Sequence, residues 1–205
     1  MGITASASCG SGEWTSMHCR ESSGMSTSEK GRRMKAEVYW VPGPWPGRLG
    51  ILPRPRGGDW LEDEVRSWRA AGIDVVASLL TPDEIAEFEL QKEGTRSKAE
   101  GLEFYAFPIP DRGVPRSRTE FEKLIGDLVR ELKRGKNVVA HCRQGIGRSA
   151  LVAASLLTSS GEKPDEAFRR IEEVRGRSVP ETAEQREWVL QSAPDATGYR
   201  HVYGD

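Results

Sequence analysis

Residues 141–149, "HCRQGIGRS", place a nucleophilic side chain beside a turn that is suited to bind an anion. Five residues separate Cys142 from Arg148. A turn of this length between a strand and a helix can curl so that its backbone N–H groups point inward, and these donors add to the positive end of the following helix. We therefore predict a cup for a tetrahedral anion such as phosphate, formed by six residues: Arg143, Gln144, Gly145, Ile146, Gly147 and Arg148.

The side chains of this turn predict phosphoryl transfer. Gly145 and Gly147 permit the tight backbone angles that a cup needs, and Arg148 has a planar fork that matches two phosphate oxygens. A helix N-terminus and a nearby arginine favour the thiolate form of a cysteine. We expect Cys142 to attack phosphorus in line and to form a cysteinyl-phosphate. Ser149 is placed to donate a hydrogen bond to the sulfur and to make it a better leaving group in the second step.

Two residues of this stretch also have a purely structural interpretation. Cys142 alone could be a small buried apolar residue, but that does not account for the glycines, the arginine and the serine at cup spacing. His141 alone could be a core histidine. We interpret it as a supporting residue that fixes the backbone of the cysteine and does not transfer protons.

A phosphatase also needs a general acid that protonates the departing oxygen. The segment "FPIPDRGVP", residues 107–115, follows a predicted strand, and its Asp111 lies between prolines that stiffen the loop and a glycine that gives it a hinge. We predict that Asp111 is the acid in the first step and the base that activates water in the second. The alternative is an aspartate of a surface turn.

Strands and helices alternate along the chain, which predicts an α/β domain. The sheet is expected to be twisted, mostly parallel, built from four to five strands and flanked by helices. In such sheets ligands bind beyond the carboxyl ends of the strands, and Cys142 is at such an end. Apolar runs predict strands at 48–52, 73–80, 102–109 and 137–142. Helical periodicity and cap residues predict helices at 60–72, 81–90, 117–135, 148–161, 163–176 and 180–191.

Cap residues and composition set the predicted boundaries. Asp59 with Glu62 predicts a capping box for the first helix, and Thr81 followed by proline predicts the start of the second. The first 36 residues are rich in Ser, Gly and Thr and lack periodicity, so we expect a disordered tail there, with Met34 as an alternative natural start. We expect the catalytic domain at residues 37–193 and a second tail at 194–205.

Composition limits the function classes. The net charge is −1, from 30 basic and 31 acidic residues, which does not favour a nucleic acid or an anionic membrane as partner. The three cysteines do not form a disulfide framework, so a reducing cytoplasmic compartment is expected. No apolar run approaches the roughly 18 residues that a membrane span requires. We expect a monomer without metal or cofactor.

The central motif resembles the H-C-x5-R-[ST] signature of the cysteine-dependent protein phosphatases, which include tyrosine and dual-specificity enzymes. The "PIPD" at 108–111 looks like the loop of atypical dual-specificity phosphatases similar to the cyclin-dependent-kinase inhibitor-associated phosphatase. Residues 47–80 and 179–189 are similar to the opening and closing segments of that group. Gln185 falls where the water-positioning loop carries a glutamine. Tyrosine-specific members have a further glutamine four residues earlier, where this chain has Glu181.

The resemblance implies a tyrosine phosphatase-like fold and a phosphorylated protein as substrate. The chain lacks the long insertion that makes a deep tyrosine-only pocket, so phosphoserine and phosphothreonine are expected beside phosphotyrosine. A phosphoinositide or an RNA 5′-phosphate stays an alternative substrate. The cup lacks the two lysines that are typical of relatives acting on inositol phosphates, whose loop reads "CKAGKGR", and this disfavours a lipid phosphate. A rhodanese-like sulfurtransferase is disfavoured, because its loop has four residues between cysteine and arginine and this loop has five. A catalytically dead module that only binds phosphorylated residues is disfavoured too, because the cysteine, arginine, aspartate and serine are all present. Six arginines could surround the cup and attract anions: Arg54, Arg56, Arg112, Arg116, Arg118 and Arg143.

Overall fold

The computed structural model describes residues 36–192. Residues 1–35 and 193–205 lie outside this range, so the two expected tails and the alternative start at Met34 stay predictions. No helix of the described part has the length and apolar character to cross a membrane.

The described residues contain five strands, seven α-helices and one 3₁₀ turn, joined by loops. The strands are β1 (Tyr39–Val41), β2 (Leu49–Pro53), β3 (Val75–Ser78), β4 (Glu103–Ala106) and β5 (Val138–Cys142). The helices are α1 (Leu61–Ala70), α2 (Pro82–Glu87), α3 (Glu93–Ala99), α4 (Arg118–Lys133), α5 (Arg148–Ser159), α6 (Pro164–Arg175) and α7 (Ala183–Ser192).

The five strands form one sheet in the order β1-β2-β5-β3-β4. Only β1 runs antiparallel to its neighbour, and the other three pairings are parallel. The central strand β5 is buried along its whole length, as its apolar sequence requires for a strand that is covered on both faces. The predicted α/β fold with a mostly parallel sheet of four to five strands is therefore confirmed.

Helices cover both faces of the sheet and fix the carboxyl end of β5. One apolar cluster joins the sheet to α4, α5, α6 and α7, and the other joins it to α1 and to the segments around α2 and α3. Helix α5 is buried in all residues but the last, because small and branched apolar side chains occupy every side of it. The turn between β5 and α5 is thus held between two buried elements.

The sequence misplaced several local features. The predicted capping box of α1 is wrong, because Asp59 lies within a 3₁₀ turn at Gly58–Trp60. The Glu62 carboxylate pairs with Arg66 and Arg96 instead of closing a capping box. The predicted start of α2 is correct, with a complete capping box at Thr81. Strand β1 and helix α3 were not predicted, because β1 has three residues and α3 is a short polar segment without an apolar stripe.

Candidate active site

The turn from β5 to α5 forms the predicted cup. Gly145 has a left-handed backbone with φ +67°, and a Cβ atom there would lie 2.7 Å from the Leu52 carbonyl oxygen of β2. Only glycine fits this position without moving the neighbouring strand. Ile146 is partly buried and packs against the apolar core, which anchors the middle of the turn. The remaining residues of the turn enclose a cavity of about 30 Å³.

The cavity brings together most residues predicted to carry the chemistry. Cys142 is 3% exposed, and its Sγ lies 3.3 Å from the Ser149 hydroxyl oxygen. This hydroxyl is within hydrogen-bonding distance of the sulfur, as its predicted role requires. The cavity is lined by Asp111, Cys142, Arg143, Gln144, Gly147, Arg148 and Glu181.

Arg148 lines the cavity and is 1% exposed. Its Nη1 and Nη2 donate to the two carboxylate oxygens of Glu84 at 2.6 and 2.8 Å, and Nη1 also donates to the Ile109 carbonyl at 3.0 Å. Burial would lower the pKa of Arg148, but the hydrogen bonds to Glu84, followed by the negative charges of Cys142, Glu84 and Asp111, raise it. The guanidinium is therefore a permanent buried cation with a fixed orientation.

Glu84 is a residue of the candidate site that the sequence interpretation missed. Its carboxylate accepts from the Thr81 backbone N–H at 3.0 Å as part of the capping box of α2, and it also holds Arg148. Burial would raise the pKa of Glu84, but the hydrogen bonds from Arg148 and Thr81 and the positive charge of Arg148 hold it below its ordinary value of 4.5. The available signal was the capping box itself, which places a carboxylate beyond the end of β3.

Asp111 reaches the same cavity from the loop after β4. Two backbone hydrogen bonds anchor the start of this loop to the end of β3: Phe107 N donates to Ser78 O at 2.9 Å, and Ile109 N donates to Leu79 O at 3.2 Å. The Asp111 side chain is 47% exposed, and its Oδ1 accepts from Arg148 Nη2 at 2.8 Å. The predicted acid and the predicted nucleophile therefore line one cup.

Gln185 and Glu181 lie against the turn beside Gly147. Gln185 is fully buried, and its Nε2 donates to the Gly113 carbonyl at 3.0 Å, so it supports the loop that carries Asp111. A Cβ atom on Gly147 would lie 2.9 Å from Gln185 Oε1 and 3.0 Å from Glu181 Cβ. Because Gly147 has no side chain, Gln185 and Glu181 can lie this close to the turn. Glu181 lines the cup itself and is a second carboxylate there.

His141 does not face the cup. Its ring packs against Trp68 at a centroid distance of 5.9 Å, on the side of the sheet opposite to Cys142. Its Nε2 lies 2.8 Å from Glu93 Oε1, and both side chains are buried. A supporting role through the backbone agrees with this position, and direct contact with a substrate does not.

The six arginines named from the sequence separate into different environments. Arg143 lines the cup, and Arg54 lies beside it over the same aromatic ring, that of Phe88. Arg112 follows the predicted acid. Arg56 pairs with Glu64 at 2.6 Å. Arg118 stacks on Trp188, and Arg116 lines a separate cavity between β4 and α4.

Known proteins share the fold and the central sequence of this chain. The family model described as "Polymorphic toxin system, DSP-PTPase phosphatase" matches residues 52–162. Rat cyclin-dependent kinase inhibitor 3 is 28% identical over 141 residues, which cover 68% of this chain and 66% of that protein, or just under two thirds of its length.

Two solved structures extend the likeness to three dimensions. Kinase-associated phosphatase with its catalytic cysteine replaced by serine has a TM-score of 0.71 at 20% identity, and the match covers 78% of this chain and 94% of that chain. The active form of Tk-PTP has a TM-score of 0.59 at 27% identity, covering 77% and 96%. The family model covers more than half of the chain, and the chain belongs to the DSP-PTPase phosphatase family, whose members are cysteine-dependent phosphatases of the dual-specificity and tyrosine type.

Proposed function

We propose that this phosphatase hydrolyses phosphotyrosine, and also phosphoserine and phosphothreonine, in proteins by way of a cysteinyl-phosphate. One observation carries the proposal: Cys142, Arg148 and Asp111 come from three separate segments and line a single cup. A nucleophile, an oxyanion-binding cation and a proton donor are the groups that phosphomonoester cleavage needs. The chain supplies all three, so the proposed reaction requires no metal or cofactor.

In the first step the phosphate dianion binds to the N–H groups of the turn and to the guanidinium of Arg148. The Cys142 thiolate attacks phosphorus, and the bond from phosphorus to the leaving oxygen breaks. Asp111, in its acid form, transfers its proton to that oxygen. The alcohol or phenol leaves, and the phosphoryl group remains on sulfur.

In the second step water attacks the cysteinyl-phosphate, and the bond from sulfur to phosphorus breaks. Asp111, now a carboxylate, accepts the proton of the water. Ser149, 3.3 Å from the sulfur, donates a hydrogen bond that stabilises the departing thiolate. Inorganic phosphate then leaves the cup.

The surroundings of the cup support a substrate range beyond phosphotyrosine. In the described part of the chain, the bordering segments 107–117 and 176–182 contain no long insertion that would deepen the cup. The names of the relatives, cyclin-dependent kinase inhibitor 3 and kinase-associated phosphatase, support a phosphorylated protein as partner. We further propose a monomer in the cytoplasm, where reducing conditions protect a thiolate nucleophile from oxidation.

Hydrolysis of para-nitrophenyl phosphate in the presence of EDTA tests the chemistry. The wild-type protein should turn over, and Cys142→Ser should lose turnover while it still binds tungstate. Activity that survives Cys142→Ser, or that requires a divalent cation, would overturn the proposal. A panel of phosphopeptides, short-chain phosphoinositides and 5′-triphosphorylated RNA then tests the substrate class, and a preference for lipid or RNA would contradict a protein substrate.

A further inference from the structure

Two arginines follow the ends of neighbouring parallel strands. In the register of β2 and β5, Pro53 lies opposite Cys142, so the next residues, Arg54 and Arg143, are neighbours as well. The Arg54 backbone N–H donates to the Arg143 carbonyl oxygen at 3.4 Å. Strand register therefore places a second positive side chain directly beside the turn that forms the phosphate cup.

Both guanidinium groups lie over one aromatic ring. Their central carbons are 3.8 Å (Arg54) and 5.1 Å (Arg143) from the centroid of Phe88. The two carbons are therefore no farther apart than the sum of these distances, about 9 Å. Contact with the face of a ring attracts each cation and limits its conformations. Phe88 itself is partly buried against the apolar cluster on this side of the sheet.

Carboxylates neutralise these two charges only in part. Within residues 36–192, no carboxylate oxygen lies within 4 Å of the Arg54 guanidinium, which donates to the Pro55 carbonyl at 3.0 Å. Arg143 contacts Glu87 at 3.4 Å, but both side chains are about half exposed and such pairs are weak. Arg56 differs, since Glu64 holds it at 2.6 Å. The adjacent pair of arginines thus carries positive charge that carboxylates do not fully balance.

We propose that Arg54 and Arg143 form a second anion subsite, which binds a second phosphate group on the same peptide. The inference rests on the proposed protein phosphatase function and deepens it. Arg143 also lines the catalytic cup, so the subsite adjoins the scissile phosphate. Residues two apart in an extended peptide are separated by about 7 Å, so the second phosphorylated residue lies within two positions of the first. A phosphate dianion offers more acceptor oxygens to two guanidinium forks than a carboxylate does.

The test compares matched peptides on the wild-type protein and two variants. Each peptide carries one phosphotyrosine, and its partners carry a phosphoserine or a glutamate at position −2, −1, +1 or +2. The measured quantity is the ratio of kcat/KM for the doubly phosphorylated peptide to that for the singly phosphorylated peptide. This ratio cancels any change in folding or in the cup. Hydrolysis of para-nitrophenyl phosphate is recorded in parallel.

We expect the wild-type ratio to be about ten or more at one position, the effect of one charge-assisted hydrogen bond. Arg54→Ala should bring the ratio close to one, whereas the control Arg56→Ala should keep it. If glutamate at the same position raises kcat/KM as much as phosphoserine does, the subsite does not select phosphate and that part of the proposal is wrong. A ratio of one in the wild-type protein, or a ratio that Arg54→Ala leaves unchanged, would overturn the subsite.

Two further outcomes separate this inference from the proposed function. If the wild-type protein hydrolyses singly and doubly phosphorylated peptides equally well, only the subsite fails. If it hydrolyses para-nitrophenyl phosphate but no peptide, the protein substrate fails as well. Short-chain phosphoinositides with one and two phosphates form a last arm, and a gain confined to these lipids would overturn the peptide as occupant.

Discussion

Replacing Glu84 by glutamine should destabilise the fold, because it removes the buried counter-charge of Arg148. The two side chains are 8% and 1% exposed and share two hydrogen bonds. Removing one partner of a buried ion pair lowers the free energy of unfolding by about 3–5 kcal/mol. We expect the lower end, about 3 kcal/mol, since Asp111 and the Ile109 carbonyl still contact Arg148. Glutamine preserves the capping box with Thr81, so the change isolates the charge.

Urea unfolding followed by tryptophan fluorescence measures this loss at pH 7. For a domain of this size, about 3 kcal/mol corresponds to a melting temperature lower by roughly 6–12 °C. The control is Glu87→Gln in the same helix, where the carboxylate is half exposed and pairs weakly with Arg143. That variant should lose less than about 1 kcal/mol. Equal unfolding free energies for the two variants would refute the reasoning.

The pH dependence gives an independent test of the same ion pair. The pKa of Glu84 is lower in the folded protein than its ordinary value of 4.5. The unfolded chain therefore binds the proton more readily, and the stability from this carboxylate is present above that ordinary value and is lost as pH falls through the folded-state pKa. The deficit of Glu84→Gln should shrink over this acid range. If the loss of unfolding free energy caused by Glu84→Gln stays constant from pH 7 to pH 3, the loss comes from altered packing and not from the missing charge.

Three further changes test the catalytic assignments. Asp111→Asn should lower kcat for para-nitrophenyl phosphate by about 10²–10⁴ and tighten tungstate binding, because it removes a general acid and a carboxylate that competes for Arg148; an unchanged kcat would contradict this role. Gly145→Ala should abolish tungstate binding measured by calorimetry, because the added Cβ collides with the β2 backbone. The control is Gly126→Ala in α4, where the added Cβ meets open space and should increase stability by up to about 1 kcal/mol. Ser149→Ala should produce a pre-steady-state burst, because breakdown of the cysteinyl-phosphate becomes slower than its formation; no burst would remove the serine from the second step.

The sequence identified the elements whose local signals are strong. Helix α4 has a regular apolar stripe and ends before a glycine, and α2 begins with Thr81 and a proline; both lie close to their predicted positions. The cup could also be predicted, because five residues between Cys142 and Arg148 leave few ways to connect a buried strand to a buried helix. Such features depend on neighbours along the chain.

Other features depend on contacts between distant segments, which no local pattern contains. Strand β1 is three residues long and is held by pairing with β2, so its own sequence carries little information. Glu84 has the pattern of a helix cap, and its second role appears only when α2 lies beside Arg148, 64 residues away. The pairing of Arg54 with Arg143 likewise requires the register of β2 and β5.

The contacts of Arg148 suggest how substrate binding sets the acid in place. Its bond to Glu84 is buried, whereas its bond to Asp111 involves a carboxylate that is 47% exposed. Exposed ion pairs contribute at most about 1 kcal/mol, far less than a buried pair that loses one partner. An arriving phosphate dianion should therefore replace Asp111 at the guanidinium and leave Glu84 in place. The displaced carboxyl group is then free to turn toward the leaving oxygen, so phosphate binding and positioning of the acid become a single event.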